Sequence, residues 1–163
     1  MLPEETLKEK ILKSITIDLS EIANLFNVGI PEAERIVRKA LEKHPDVNFI
    51  LIPKSKIFIE LSRLGSIINR RGKITLEEIA KECNVTIQLA RNFLNTLIVT
   101  GFPGIYINDN TFVTFNYLQD EIRGDILRGE TITIEYIASK FNVDERVAYN
   151  IYMELKRRSR VER

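Results

Sequence analysis

Tryptophan is absent from these 163 residues, and cysteine and histidine occur once each. A single cysteine excludes an internal disulfide. One histidine with no partner histidine excludes the familiar zinc ligand sets and leaves no Ser-His-Asp or Cys-His arrangement to assemble. Glycine is scarce at seven residues, and no glycine-rich loop with a lysine resembles a phosphate cradle. Long apolar runs are missing; the longest, such as Phe49 to Ile52, are strand-sized, too short to span a membrane as a helix. The start, Met1-Leu2-Pro3-Glu4-Glu5, is acidic where a signal peptide needs positive charge and an apolar core. A surplus of one charge is lacking as well. Lys and Arg number 24 against 23 Asp and Glu, a net charge of +1, so any nucleic-acid contact would depend on local patches. These absences lead to the expectation of an intracellular protein, cytoplasmic, or nuclear or nucleoid-bound if it holds DNA, with no membrane contact. Plentiful Lys, Glu, Arg and Ile lean towards a heat-adapted source, while the many Asn residues argue the other way.

What the chain does have is one phrase written three times. The copies begin at Ile17, Ile74 and Ile132, at intervals of 57 and 58 residues. All three keep the leading Ile, an Ile-Ala pair (Ile22-Ala23, Ile79-Ala80, Ile137-Ala138) and a closing Asn-Val (Asn27-Val28, Asn84-Val85, Asn142-Val143). A fixed period of this size marks repeated supersecondary units.

The flanking patterns predict one plan for each copy. A leading helix covers roughly 4–14, 60–71 and 117–128, with apolar residues at helical spacing such as Leu7, Ile11 and Leu12, or Leu61, Leu64, Ile67 and Ile68. Gly72 and Gly129 follow at the C′ position. A short bridge carries Ile17, Ile74 or Ile132. The second helix starts at an N-cap, Asp18, Thr75 or Thr133, with Glu21 and Glu78 completing a capping box in the first two copies and Tyr136 breaking it in the third. Asn-Val makes the turn. A third helix covers 31–43, 87–99 and 145–158, with Ala33, Ala90 and Ala148 at one offset from the turn. Hairpins then follow the first two copies: Phe49 to Ile52 with Ile57 to Ile59, and Ile105 to Ile107 with Thr111 to Phe115. The predicted class is mainly α with small β-hairpins (α+β), in units 1–59, 60–116 and 117–163, the last with its hairpin missing or truncated.

Three helices, a helix-turn-helix and a hairpin resemble the winged-helix superfamily, here as a tandem helix-turn-helix array. The stretch from Phe58 to Phe115, with its Gly72-Lys73-Ile74 lead-in and Asn108-Asp109-Asn110 tip, is also similar to the winged-helix repeats of the ligase in the ubiquitin-fold modifier pathway. The resemblance implies a binding scaffold without catalysis, whose third helix is the recognition helix and whose hairpin is a wing. Near-neutral tandem arrays of this kind resemble docking subunits of the proteasome-lid and endosomal-sorting classes.

The residues that could carry chemistry have plainer accounts. Cys83 stands where the other copies have Phe26 and Phe141, so it is expected to be a small core hydrophobe. His44 closes a helix, where it meets the negative end of the dipole. Glu4-Glu5 and Glu77-Glu78 sit in first helical turns and complement the positive end. No catalytic, cofactor or metal site is expected.

Two binding readings stand side by side. Phosphates repel carboxylates, which disfavours the first recognition helix with Glu32 and Glu34 ahead of Arg35, and the third with Asp144 and Glu145 ahead of Arg146. The second offers Gln88, Arg91, Asn92 and Asn95 and no acid, side chains able to bond base edges. With the wing tip Lys54 and Lys56 and the basic C-terminal run Lys156, Arg157, Arg158 and Arg160, these form the candidate nucleic-acid-binding set. The leading expectation is DNA binding in transcription or chromatin regulation. The alternative is a protein-docking scaffold, favoured by the acids on two recognition helices and by the aromatic second wing, Tyr106, Phe112 and Phe115, although core is the commoner fate of aromatics on an alternating strand.

Overall fold

The computed structural model describes residues 1–161, with side chains described through Ser159. It is mainly helical, with two small antiparallel sheets, an α+β arrangement. The order opens with α1 (Pro3–Lys13), β1 (Thr16–Asp18), α2 (Leu19–Phe26), α3 (Ile30–Leu41), β2 (Ile50–Ile52) and β3 (Ile57–Ile59). The same order recurs in α4 (Leu61–Arg71), β4 (Lys73–Thr75), α5 (Leu76–Cys83), α6 (Ile87–Val99), β5 (Gly104–Tyr106) and β6 (Thr111–Thr114). Then come α7 (Phe115–Leu127), α8 (Ile134–Phe141) and α9 (Glu145–Val161). Among the described residues no strand follows α9, and no helix is long and apolar enough to cross a membrane.

The chain divides into two compact units. One holds residues 1–67 and 80–86, the other 68–79 and 87–163.

In the first unit the sheet order is β1-β3-β2, antiparallel throughout, with Ile17 opposite Phe58 and Leu51 opposite Phe58 on the other side. The bridge carrying Ile17 is therefore a strand, and Ile50 rather than Phe49 opens β2. The pairing is prolonged at both ends of β1, where Glu60 N–H donates to Ile15 C=O (2.8 Å) and Leu19 N–H to Lys56 C=O (3.0 Å). Leu7 and Ile11 from α1, Ile22 and Ala23 from α2, Ala33 and Val37 from α3, and Phe58 form its core. Phe58 is 1% exposed, and burying a side chain of this size contributes roughly 1.5–3 kcal/mol. Ala33 has no exposed surface; its small side chain lets α3 approach the core closely. Glu60 is buried too. Its carboxylate accepts from Asn48 N–H (2.7 Å) and from Ser62 N–H (3.1 Å) and Oγ (2.6 Å). Burial opposes its ionisation, but the Ser62 and Asn48 bonds and the nearby Arg63 hold it below the usual carboxylate range.

In the second unit the order is β4-β6-β5, with Ile74 opposite Phe112 and Tyr106 opposite Phe112. Here too the bridge is a strand. Phe115 is not in β6; Thr114 ends that strand and caps α7, its Oγ1 accepting from Tyr117 N–H (3.1 Å). The ring of Phe112 has no exposed surface and packs against Tyr106 (centroids 5.8 Å apart) and Phe102 (6.1 Å). Of the two fates open to the wing aromatics, Phe112 takes the core one, because the inward face of β6 needs this ring as core. Val113, Leu118, Ile137, Ala148 and Ile151 form a second cluster. The third bridge, around Ile132, is partly buried and forms no strand.

The retained Asn-Val is explained by backbone geometry. Asn27, Asn84 and Asn142 all have positive φ, 55°, 55° and 52°, a left-handed conformation that Asn adopts more readily than other residues with a side chain. Gly72 and Gly129 also lie there, at +75° and +90°. The capping boxes fare unequally. Thr75 and Glu78 exchange bonds, Glu78 N–H to Thr75 Oγ1 (3.1 Å) and Thr75 N–H to Glu78 Oε1 (3.1 Å). In the first copy Asp18 accepts from Ser20 N–H (2.8 Å), and the Glu21 carboxylate instead pairs with Lys10 (3.2 Å).

Candidate nucleic-acid interface

Gln88, Arg91, Asn92 and Asn95 lie three, four and seven residues apart on α6, and so on one side of it. Arg91 is the one charged residue of that helix. Gln88 and Asn92 are exposed, and the Gln88 amide donates to Asn92 Oδ1 (3.5 Å). Asn95 is held by the hairpin, its Oδ1 accepting from the Tyr106 hydroxyl (3.0 Å). Burial pushes the Tyr106 phenol up, with the Arg91 guanidinium pulling the other way. Tyr106 thus joins α6 to β5, a link that no spacing in the chain announces.

The basic residues are placed less favourably. Lys54 and Lys56 are exposed on the turn between β2 and β3, where Lys56 has a φ of 58°. They belong to the first unit, the α6 residues to the second. On α9, Arg157 donates to Glu154 through Nε (3.1 Å) and pairs with it through Nη2 as well. Arg158 donates to Glu154 (3.4 Å) and to Asn116 Oδ1 (2.7 Å), and lies over the Phe115 ring (5.5 Å). The Arg157 bond, the largest cause, and Arg158 hold the Glu154 carboxyl below its usual range, against partial burial. Lys156 sits over Tyr152, 5.7 Å from its centroid. The side chain of Arg160 lies outside the described residues. On α3, Arg35 pairs with Glu32 (2.9 Å) and Arg38 with Glu34 (3.0 Å).

Arg35 and Arg38 of α3 and Arg157 and Arg158 of α9 therefore have carboxylate partners on their own helices. The exposed pairs of α3 contribute only about 0–1 kcal/mol each, so a phosphate could displace them. On α3 each of these arginines has its own glutamate, which weakens the positive field there, whereas on α9 Arg157 and Arg158 share the one carboxylate of Glu154.

A second polar cluster joins α7 to α8. The Asp125 carboxylate accepts from Lys140 Nζ (2.7 Å), Tyr136 Oη and Arg128. These partners, the Lys140 bond foremost, hold its pKa down to about 2. The network is fully satisfied and structural in character. Cys83 is buried, its thiol pushed up to about 12 by burial and then by Glu82, far from the thiolate form that nucleophilic chemistry needs. Among the described residues no three His, Cys, Asp or Glu side chains are grouped to hold a metal. Neither a protein-family model nor a curated protein sequence matches this chain.

Proposed function

We propose that this chain is a non-enzymatic binding protein of three tandem units, 1–59 and 60–116 of winged-helix type and 117–163 a helix-turn-helix with its wing missing or truncated, and that its partner is another protein. The recurrence of one element order, with the last-made strand central in each sheet, supports the repeated-unit reading. The observation that carries the protein-partner reading is the compensation of its arginines. Arg35 and Arg38 pair with Glu32 and Glu34 of their own helix, and Arg157 and Arg158 share Glu154 of theirs, an arrangement that lowers the free positive charge as suits a docking surface. A DNA-binding face would present those guanidinium groups free to phosphates.

DNA binding is the second reading, favoured by the acid-free face of α6 with exposed Gln88 and Asn92 beside Arg91. The deciding experiment is a titration with labelled non-specific duplex DNA across a salt series, on wild type, Arg91→Ala and the triple Lys156, Arg157 and Arg158 to Ala variant. No binding even at low salt, together with a stoichiometric complex reconstituted from chain and protein partner, is the expected result. Micromolar binding that weakens steeply with salt, more shallowly in the triple variant, would transfer the proposal to DNA.

A further inference from the structure

The first unit carries an open groove of about 520 Å³ that its own elements leave unfilled. Two helices build it. Ile36 and Ala40 of α3, i, i+4 apart and partly buried, supply its accessible apolar floor, over the buried core side chains Leu7 and Ile11 of α1. Phe26, at the end of α2, closes one side. The lined stretch of α1, from Glu4 to Ile11, covers two helical turns, or about 10 Å. A third helix lying along this floor would complete the packing, as in helix-in-groove recognition.

The rim has one sign. Lys8, Lys39 and Lys43 stand exposed around it, with His44 beside them and Glu4 the one acid. Among the described residues these three lysines have no carboxylate partner, unlike Lys10 with Glu21 and Lys13 with Glu9 on the same helix α1. Arg35 and Arg38 of α3, which do have glutamate partners, are not among the residues that line the groove. A comparable groove between α7 and α9, floored by Ile122, Ile126 and Leu155, carries Lys156 alone. Apolar shape therefore recurs between a leading and a third helix, while the concentrated positive rim belongs to the first unit.

We infer that the α1–α3 groove is a docking site for an amphipathic helix with acidic flanks. It would lay aliphatic side chains against Phe26, Ile36 and Ala40 and place carboxylates against Lys8, Lys39 and Lys43. This rests on the protein-partner reading and names the surface and the chemistry of the partner.

The probe is a fluorescent helical peptide with leucines at i, i+4 and i+7 and glutamates flanking them, titrated against the full chain at low and moderate salt. A second peptide replaces the glutamates with lysines. The variants are the charge reversal Lys39→Glu/Lys43→Glu, which touches exposed side chains and is checked for unchanged helicity, and Ala40→Glu in the floor. The expected result is micromolar binding of the acidic peptide, weakened about tenfold or more by the double reversal. The lysine peptide should bind the reversed variant better than wild type. Equal binding of the two peptides to wild type, or no loss on reversal, would overturn the inference. So would a dimer in sedimentation that dissociates on reversal, since a second copy would then fill the groove, or duplex DNA displacing the peptide. A protein partner that binds wild type and the double reversal equally would leave the docking reading standing and remove this groove from it.

Discussion

Gly104 opens β5 directly over the buried ring of Phe112, and Gly104→Ala tests that placement. A Cβ at this position would lie 2.3 Å from Phe112 Cζ, 2.6 Å from its Cε1 and 2.6 Å from the Val113 carbonyl oxygen. Ordinary contact between such atoms needs about 3.5 Å, so something must move by about 1 Å. The ring cannot swing outwards, being packed against Tyr106 and Phe102, and the carbonyl belongs to a paired strand. Overpacking of this kind costs about 1–3 kcal/mol. Taking about 2 kcal/mol, the melting temperature of a chain this long falls by roughly 4–8 °C. Gly101→Ala is the control, because nothing lies within 4 Å of its added carbon and only its φ of 99° is strained. Calorimetry and urea denaturation measure both. Phe112→Leu would remove two of the three close approaches, so the double variant should be less damaged than the sum of the single ones, by about 0.5 kcal/mol or more. A Gly104→Ala protein as stable as wild type, or full additivity with Phe112→Leu, would refute the packing.

Three further outcomes follow from groups already described. Asn84→Ala should lower stability by about 1 kcal/mol and Asn84→Gly by only a few tenths, because only glycine matches Asn in the left-handed conformation; denaturation midpoints rank them. Asp125 has a lowered pKa in the folded protein, about 2 against the ordinary 3.8, so its stabilising effect is complete above the unfolded value and is lost as pH falls through about 2. The stability gap between wild type and Asp125→Asn should therefore be present at neutral pH and close between about pH 4 and 2 in melting experiments. Cys83 should react with a thiol reagent at least about a hundredfold faster in denaturant than in buffer; prompt reaction of the folded protein would contradict its burial.

The helices were readable because each is long enough for its apolar spacing to repeat, and the glycines and asparagines that end them sit where positive φ is needed. Strands β1 and β4 were not. Three residues, Thr16–Asp18 or Lys73–Thr75, are too few to display alternation, and their pairing partners lie about forty positions later. Glu21 looked like half of a capping box because the pattern holds only local neighbours; Lys10, eleven residues back, competes for it. The candidate binding residues were identifiable by type and their availability was not. Whether Asn95 is engaged by Tyr106, or Arg158 by Asn116, depends on contacts 11 and 42 residues apart. The α1–α3 groove was hidden for the same reason. Lys39 and Lys43 are ordinary surface lysines until α1 brings Lys8 beside them.

The position of β3 between β1 and β2 has a bearing on how the chain is made. The β2–β3 hairpin can close on itself within about 1–10 μs, but β1 is synthesised first and must wait for Phe58 to reach Ile17, 41 residues later. At translation rates of roughly 5–20 residues per second that wait is about 2–8 s. During it, α1 to α3 are exposed with an unpaired strand edge, and the same delay recurs between Ile74 and Phe112. Sheet closure is therefore the late event in each of the first two repeats. A stall in synthesis just before residue 57 would leave the helices made and the edge of β1 open to a neighbouring chain.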